Sequence, residues 1–120
     1  MPLDLDTVSM KPVSCEALKS LVNVKTKAVV FAYLYGIYYD TKEYIDFCKD
    51  RDIDVIEDVA QSFCGAQKFN GTPGARLSLF SFGLIKVQTC IYGAVTIVRD
   101  DAKLFTTMRS IQEKYPLFTR

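Results

Sequence analysis

The sequence contains no histidine among its 120 residues, and this absence removes several kinds of active site. Ser-His-Asp and Cys-His catalysis need an imidazole as general base, and many metal sites need it as a ligand. The four cysteines form no C-x-x-C pair, so the usual zinc-binding and thiol-exchange motifs are missing too. We therefore expect no metal site, and we expect reduced, buried cysteines in a cytoplasmic protein.

Long apolar segments and strongly charged segments are also lacking. No apolar run approaches the roughly 18 residues of a membrane span, so we expect no membrane association. The formal net charge is +1 and no basic run stands out, which argues against a nucleic-acid partner. With 49% apolar and 24% charged residues, the composition is that of one ordinary globular domain.

Short apolar runs predict a sheet with helices around it. Buried strands are predicted over residues 27–33, 54–59, 76–82 and 93–98. A helix predicted between the first two strands makes a βαβ unit, which implies parallel strands joined by a right-handed crossover. The connection before the last strand is short, so we expect that strand to be antiparallel at one edge of the sheet.

Polar residues at the predicted helix starts serve as expected caps. Ser14 is expected to cap a first helix that runs to about residue 22. Asp40 and Glu43 resemble a capping box for the crossover helix. Asp100 is expected to cap the last helix, which Pro116 ends. Four apolar residues form a stripe on that last helix: Leu104, Met108, Ile111 and Tyr115.

Polar groups with complementary chemistry follow two of the apolar runs. Asp58 comes at the end of the second strand, and Ser81 and Lys86 follow the third. In open α/β sheets, ligands bind beyond the carboxyl ends of the strands. Pyridoxal phosphate needs a lysine amine for its aldehyde, a carboxylate for its pyridine nitrogen and donors for its phosphate. These residues suggest such a site; the alternatives are a helix cap for Asp58 and a solvated surface charge for Lys86.

Several short segments together resemble the DegT/DnrJ/StrS sugar-aminotransferase family of the pyridoxal-phosphate-dependent fold type I superfamily. The matching segments, in family order, are Thr26-Lys27-Ala28-Val29-Val30, Leu34-Tyr35-Gly36, Ile56-Glu57-Asp58-Val59-Ala60-Gln61, Gly65-Ala66, Leu79-Phe80-Ser81-Phe82, Lys86 and Gly93-Ala94-Val95. The resemblance implies an α/β fold with a three-layer mixed sheet, part of the large domain of a fold type I transferase.

The resemblance also implies a role for each site residue. Lys86 would form the Schiff base with pyridoxal 5'-phosphate, Asp58 would pair with the pyridinium nitrogen, Gln61 would contact the ring, and Ser81 would bind the phosphate. A lysine at position 86 favours transamination, because the family's sugar dehydratases carry histidine there. The implied substrates are a small-molecule amino donor and a carbonyl acceptor such as a keto-sugar. The implied assembly is a homodimer whose sites lie between the subunits.

The resemblance covers only the central part of the family's large domain. We therefore expect residues 1–120 to form a single partial domain that lacks the Gly-Thr phosphate-binding loop and the small domain. Catalysis by this chain alone is expected to be impaired. The alternative function is a non-catalytic remnant or an interaction module that keeps the fold. A signalling receiver domain is disfavoured, because it needs its hydroxyl residue and its lysine on separate strands, whereas Ser81 and Lys86 share one loop.

Overall fold

A computed structural model describes residues 1–65, 68–86 and 88–116. Ala66 of the matched Gly65-Ala66 segment lies outside the described residues, as do Val87, which follows Lys86, and the stretch 117–120. The strands are β1 (Ala28–Ala32), β2 (Asp54–Asp58), β3 (Leu77–Ser81) and β4 (Ala94–Val98). The helices are α1 (Cys15–Leu21), α2 (Lys42–Lys49) and α3 (Ala102–Gln112).

The strands form one mixed sheet in the order β1-β2-β3-β4. β1, β2 and β3 run parallel to one another, and β4 is antiparallel to β3. This α/β architecture confirms the prediction of three parallel strands with an antiparallel strand at one edge. The crossover from β1 to β2 carries α2, whereas the short segment after β3 lets the chain only reverse direction.

One face of the sheet is buried under α1 and α2. Residues paired in register point to the same face, so Phe31, Glu57 and Ser78 share the buried side. The core on this side consists of Cys15, Leu18, Phe31, Ile45, Phe47, Cys48, Ile53, Val55 and Ala75. On the opposite face, Val30 is 60% exposed and Leu79 is 39% exposed. The strands therefore present one covered face and one accessible face.

The first helix begins as predicted, but the crossover helix does not. The Ser14 hydroxyl accepts a hydrogen bond from the Ala17 amide at 3.1 Å. The cap of α2 is Thr41 and not Asp40, so that prediction was wrong by one residue. Asp40 instead accepts from the Lys42 amide at 2.8 Å. The Thr41 side chain makes no cap bond, because it is buried in the interior of the fold.

The cap of α3 also differs from the prediction by one residue. Asp101 and not Asp100 caps this helix, and its carboxylate accepts from the Leu104 amide at 2.7 Å. Asp100 has φ of 52°, outside the extended region that N-cap residues adopt. Arg76 pairs with Asp101 and also with Asp54 at 2.6 Å, so an ion pair to β2 fixes the start of the helix.

The apolar stripe of α3 is not part of the core. No residue of this helix is buried, and Phe105 and Ile111 are about half exposed. The helix ends at Gln112, earlier than the end predicted from Pro116, so Tyr115 of the predicted stripe lies beyond it. The helix contacts β4.

The four cysteines are free thiols. Cys15 and Cys48 are buried as expected, Cys64 is half-buried, and Cys90 is exposed, so the expectation of burial was wrong for Cys90. In the part of the chain that the structure describes, no helix has the length and apolar character needed to cross a bilayer.

Both outer strands leave one edge without a partner strand in the described sheet, and we expect these edges to cause self-association. The assembled fraction should rise with concentration in sedimentation velocity experiments. Val30→Lys places a charge on edge strand β1 and should lower association, since charged residues protect exposed edges. Val24→Lys, at a 96% exposed valine outside the sheet, is the matched control and should change little. A wild-type chain that stays monomeric at high concentration would contradict this prediction.

Candidate functional site

The carboxyl ends of β2 and β3 place Asp58 and Ser81 at the same edge of the sheet. Asp58 is the last residue of β2 and pairs in register with Leu79. Ser81 lies two residues beyond Leu79 and is the last residue of β3. Because strand side chains alternate between faces, Asp58 and Ser81 belong to the same face of the sheet, the accessible one. Both residues are half-buried.

The side chain of Asp58 is oriented by its own chain. Its Oδ1 atom accepts a hydrogen bond from the Ala60 amide at 3.0 Å. The neighbouring main chain is held on both sides, since the Tyr33 amide donates to the Asp58 carbonyl at 2.9 Å and the Val59 amide donates to the Leu79 carbonyl at 2.8 Å. One carboxylate oxygen thus has a local donor, and the backbone beneath it is fixed.

Lys86 belongs to a closed loop that begins directly after Ser81. The amide of Phe82 donates to the Gly93 carbonyl at 2.9 Å and closes the base of this loop. The Lys86 amide donates to the Gly83 carbonyl at 3.0 Å, and the residue itself is half-buried. Ile91 has φ of 74°, which is strained for a β-branched residue. The loop brings Lys86 to the same end of the sheet; its approach to Asp58 remains a prediction.

Gln61 lies in the turn after β2 and contacts the turn after β1. Its Oε1 atom accepts from the Tyr35 amide at 3.4 Å, and Gln61 is exposed. Tyr35 and Gly36 have positive φ values of 54° and 79°, in agreement with the sharp turn that Gly36 predicted. Gln61 lies at this end of the sheet, and its contact with a cofactor ring stays a prediction.

Ser62 joins the same two turns, and the sequence analysis missed it. This buried hydroxyl donates to the Tyr33 carbonyl at 2.5 Å and accepts from the Gly36 amide at 3.1 Å. The signal in the sequence was only its position next to Gln61. The pair of bonds fixes the distance between the turns that carry Tyr35 and Gln61.

An aromatic cluster supports this end of the sheet from the covered side. Tyr33 stacks on Tyr39 at 4.7 Å between ring centroids and contacts Phe69 at 5.3 Å. Phe63 and Phe80 meet edge to face at 5.4 Å. Burial raises the pKa of Tyr33, and burial raises the pKa of Tyr39 to about 12. Both phenols therefore remain protonated at neutral pH and are available as hydrogen-bond donors.

Glu57 is a second buried polar residue at this end of the sheet that the sequence analysis did not single out. It directly precedes Asp58 and is fully buried on the covered face. Its carboxylate accepts hydrogen bonds from Tyr33, Thr72 and Ser78. A charged residue in an apolar strand was the available signal, since such a residue is almost never fully buried without partners.

Comparison with solved structures defines the class of protein. The aminotransferase from Psychrobacter cryohalolentis superposes with a TM-score of 0.74 at 21% identity, covering 92% of this chain and 28% of that one. An E. coli GDP-4-keto-6-deoxy-D-mannose-3-dehydratase, solved with bound hydrated pyridoxal phosphate, gives a TM-score of 0.72 at 26% identity over 89% of this chain and 27% of that one. The fold is that of the pyridoxal-phosphate-dependent aminotransferases.

Sequence comparison then defines the family. A model of the DegT/DnrJ/EryC1/StrS aminotransferase family matches residues 1–114, and the chain belongs to this family. GDP-perosamine synthase of Vibrio cholerae is 35% identical over 91 residues, which cover 74% of this chain. The chain spans 24% of the length of the curated relatives that it matches. The predicted resemblance is thereby confirmed.

Proposed function

We propose that this chain is the central part of the large domain of a pyridoxal-phosphate-dependent sugar aminotransferase, with Lys86 as the residue that binds the cofactor covalently. The observation that carries the proposal is the arrangement at the carboxyl ends of β2 and β3. Asp58 and Ser81 lie on one face of neighbouring parallel strands, and the loop with Lys86 begins right after Ser81. Family membership supports the same conclusion.

The side chains at this edge fit the cofactor chemically. The Asp58 carboxylate can accept a hydrogen bond from the protonated nitrogen of a pyridinium ring, and one of its oxygens already accepts from the Ala60 amide. The Ser81 hydroxyl can donate to a phosphate, and Gln61 lies in the next turn of the same edge. Bound pyridoxal phosphate would supply the electron sink that amino-group transfer requires.

The proposed part of Lys86 is to attach the cofactor and to carry a proton at its Nζ atom. An amine must be neutral to attack an aldehyde, and burial favours the neutral form. Lys86 is only half-buried in this chain. We therefore propose weak, reversible attachment and no measurable transamination with common amino donors by these 120 residues alone. Burial between two subunits of a homodimer would complete the site.

The proposed acceptor is a keto-sugar. The similar proteins are named for GDP-perosamine synthesis and for a reaction of a GDP-linked keto-deoxy sugar, which supports a sugar substrate carrying a carbonyl. Lysine at position 86 favours transamination over dehydration by resemblance to the family. The amino group would come from a small-molecule donor such as an amino acid.

The deciding experiment is an absorbance spectrum of the purified chain with added pyridoxal phosphate, before and after borohydride reduction. Covalent attachment should give a visible band that reduction removes, and peptide mass mapping should then find the reduced cofactor on Lys86. A spectrum equal to that of free cofactor, with no labelled peptide, would contradict the proposal. That result would favour the alternative, a non-catalytic module that keeps the fold.

Asp58→Asn tests the pyridine contact at constant shape. Charge-assisted hydrogen bonds contribute about 1.5–3 kcal/mol, so cofactor affinity in a spectral titration should fall roughly 10- to 100-fold. Asparagine keeps an oxygen for the Ala60 amide, so the fold should persist. Asp100→Asn is the control and should leave the cofactor affinity unchanged. Asp100 follows β4 at the end of the sheet opposite to Asp58. Equal affinity of wild type and Asp58→Asn would exclude this role of Asp58.

A further inference from the structure

The carboxylate of Glu57 is enclosed by four hydrogen-bond donors on the covered side of the sheet. Its Oε1 atom accepts from the Tyr33 hydroxyl at 2.8 Å and from the Thr72 hydroxyl at 2.5 Å. Its Oε2 atom accepts from the Thr72 amide at 2.9 Å and from the Ser78 hydroxyl at 2.5 Å. Each oxygen thus has two donors, and the side chain has no exposed surface.

This arrangement requires both terminal oxygens of the Glu57 side chain to be hydrogen-bond acceptors. A carboxylate has only acceptor sites, so it matches four donors, whereas the amide group of glutamine would point an NH₂ at two of them. Burying a charge is costly unless it is fully hydrogen-bonded. Among the described residues, no buried side-chain nitrogen or oxygen lacks a partner. The site around Glu57 is therefore built for a carboxylate.

A guanidinium forms the outer layer of the network. Arg99, which follows β4, donates to the Ser78 hydroxyl at 2.8 Å and to the Asn70 carbonyl at 2.8 Å. It also donates to the Ala75 carbonyl at 3.3 Å. The Arg99 guanidinium is thus linked to Glu57 through one residue, Ser78. It also holds the loop of residues 70–75, which supplies the Thr72 donors.

The network fixes the backbone at the position of Asp58. Glu57 and Asp58 are consecutive in β2, so their side chains lie on opposite faces of the same strand end. The bonds of Glu57 join β2 to Tyr33, just after β1, and to Ser78 in β3. A rotation of this strand end would move the Asp58 carboxylate and break the bonds of Glu57 at the same time.

We infer that Glu57 is a positioning residue that holds Asp58 in the orientation needed for the cofactor ring. This inference rests on the proposed function for its purpose, but its geometric content concerns the free chain. Glu57 is shielded from the accessible face and would not touch a cofactor bound there. Its effect is transmitted through the single peptide link to Asp58.

The first arm of the test uses NMR on the cofactor-free chain. The Ala60 amide reports on Asp58, because it donates to the Asp58 carboxylate. Glu57→Gln should shift this amide resonance and accelerate its hydrogen exchange at least tenfold. Val55→Ala lies on the same strand and the same covered face but outside the network, so it lowers stability without moving Asp58. If Val55→Ala changes the Ala60 signal as much as Glu57→Gln does, Glu57 has a merely structural role and the inference fails.

The second arm is a double-mutant cycle on cofactor affinity with Glu57→Gln and Asp58→Asn. If Glu57 acts through Asp58, the double variant should bind pyridoxal phosphate about as weakly as Asp58→Asn alone. If the affinity of the double variant instead falls by the product of the two separate factors, the inference is overturned. A wild-type chain that does not bind the cofactor would count against the proposed function only, and the NMR arm would still decide whether Glu57 positions Asp58.

Ser78→Ala keeps the test decisive if Glu57→Gln does not fold. It removes one donor and leaves the carboxylate in place. We expect a smaller shift of the Ala60 amide and a severalfold faster exchange of the same proton. An unchanged Ala60 amide in a folded Ser78→Ala chain would contradict the inference.

Discussion

Lys86→Ala should abolish specific covalent attachment of pyridoxal phosphate to this chain. The methyl side chain of alanine has no amine to react with the aldehyde. The loop after Ser81 contains no other lysine. The measurement is mass mapping after borohydride reduction, in which the peptide with position 86 should lose its label. Lys86 is a half-buried loop residue, so its replacement should leave the fold intact.

Lys68→Ala provides the matched control for Lys86→Ala. Lys68 is an exposed lysine of the loop between β2 and β3, and its loss should leave the label on Lys86 unchanged. Nonspecific reaction would instead label exposed lysines in proportion to their accessibility. An unchanged yield of reduced cofactor in Lys86→Ala would show that the site assignment is wrong.

Gly71→Ala should destabilise the chain by about 3 kcal/mol or more, because two separate costs combine. Gly71 has φ of 93°, a conformation that L-residues with a side chain rarely adopt. A Cβ atom at this position would lie 2.1 Å from the Ser78 hydroxyl oxygen and 2.2 Å from a guanidinium nitrogen of Arg99. The Ser78 hydroxyl donates to Glu57, and this guanidinium nitrogen donates to the Asn70 carbonyl, so neither atom can move without breaking a hydrogen bond. The measurement is the free energy of unfolding in urea.

Two other glycines separate the costs in this experiment. Gly36 has φ of 79° and open space around the added atom, so Gly36→Ala should show the conformational cost alone, about 1–2 kcal/mol. Gly83 has neither a positive φ nor a close neighbour, so Gly83→Ala should stay within about 0.5 kcal/mol of wild type. Equal losses in Gly36→Ala and Gly71→Ala would show that the contacts with Ser78 and Arg99 are relieved at little cost.

The sheet could be predicted from the sequence because its signals are local. Four short apolar runs became four strands, and the brief segment after β3 correctly predicted an antiparallel neighbour. The places of Asp58 and Ser81 at strand ends followed from the same runs. In each case, the information lies within a few residues of the feature.

The features that were missed depend on partners far away in the chain. Glu57 is satisfied by Tyr33, Thr72 and Ser78, which are 15 to 24 residues distant. No periodicity in β2 could predict that these segments supply donors. The cap of α3 moved from Asp100 to Asp101 in a similar way, since Arg76 pairs with Asp101 across 25 residues. Long-range polar contacts decide such details, whereas apolar patterning decides the elements.

The Ser62 hydroxyl has a consequence for how this edge of the sheet can vary in length. It bonds to Tyr33 and Gly36 at once, so the turns after β1 and β2 form one rigid unit. An inserted residue between Tyr33 and Gly36, or between Asp58 and Ser62, would disturb these bonds and displace Gln61 from Tyr35. The loop between Phe82 and Gly93 is closed at its base, and its exposed residues Leu84 and Ile85 are a place that can accept insertions. Changes in length that alter what a site at this edge recognises are therefore tolerated better in the loop that carries Lys86 than in the two joined turns.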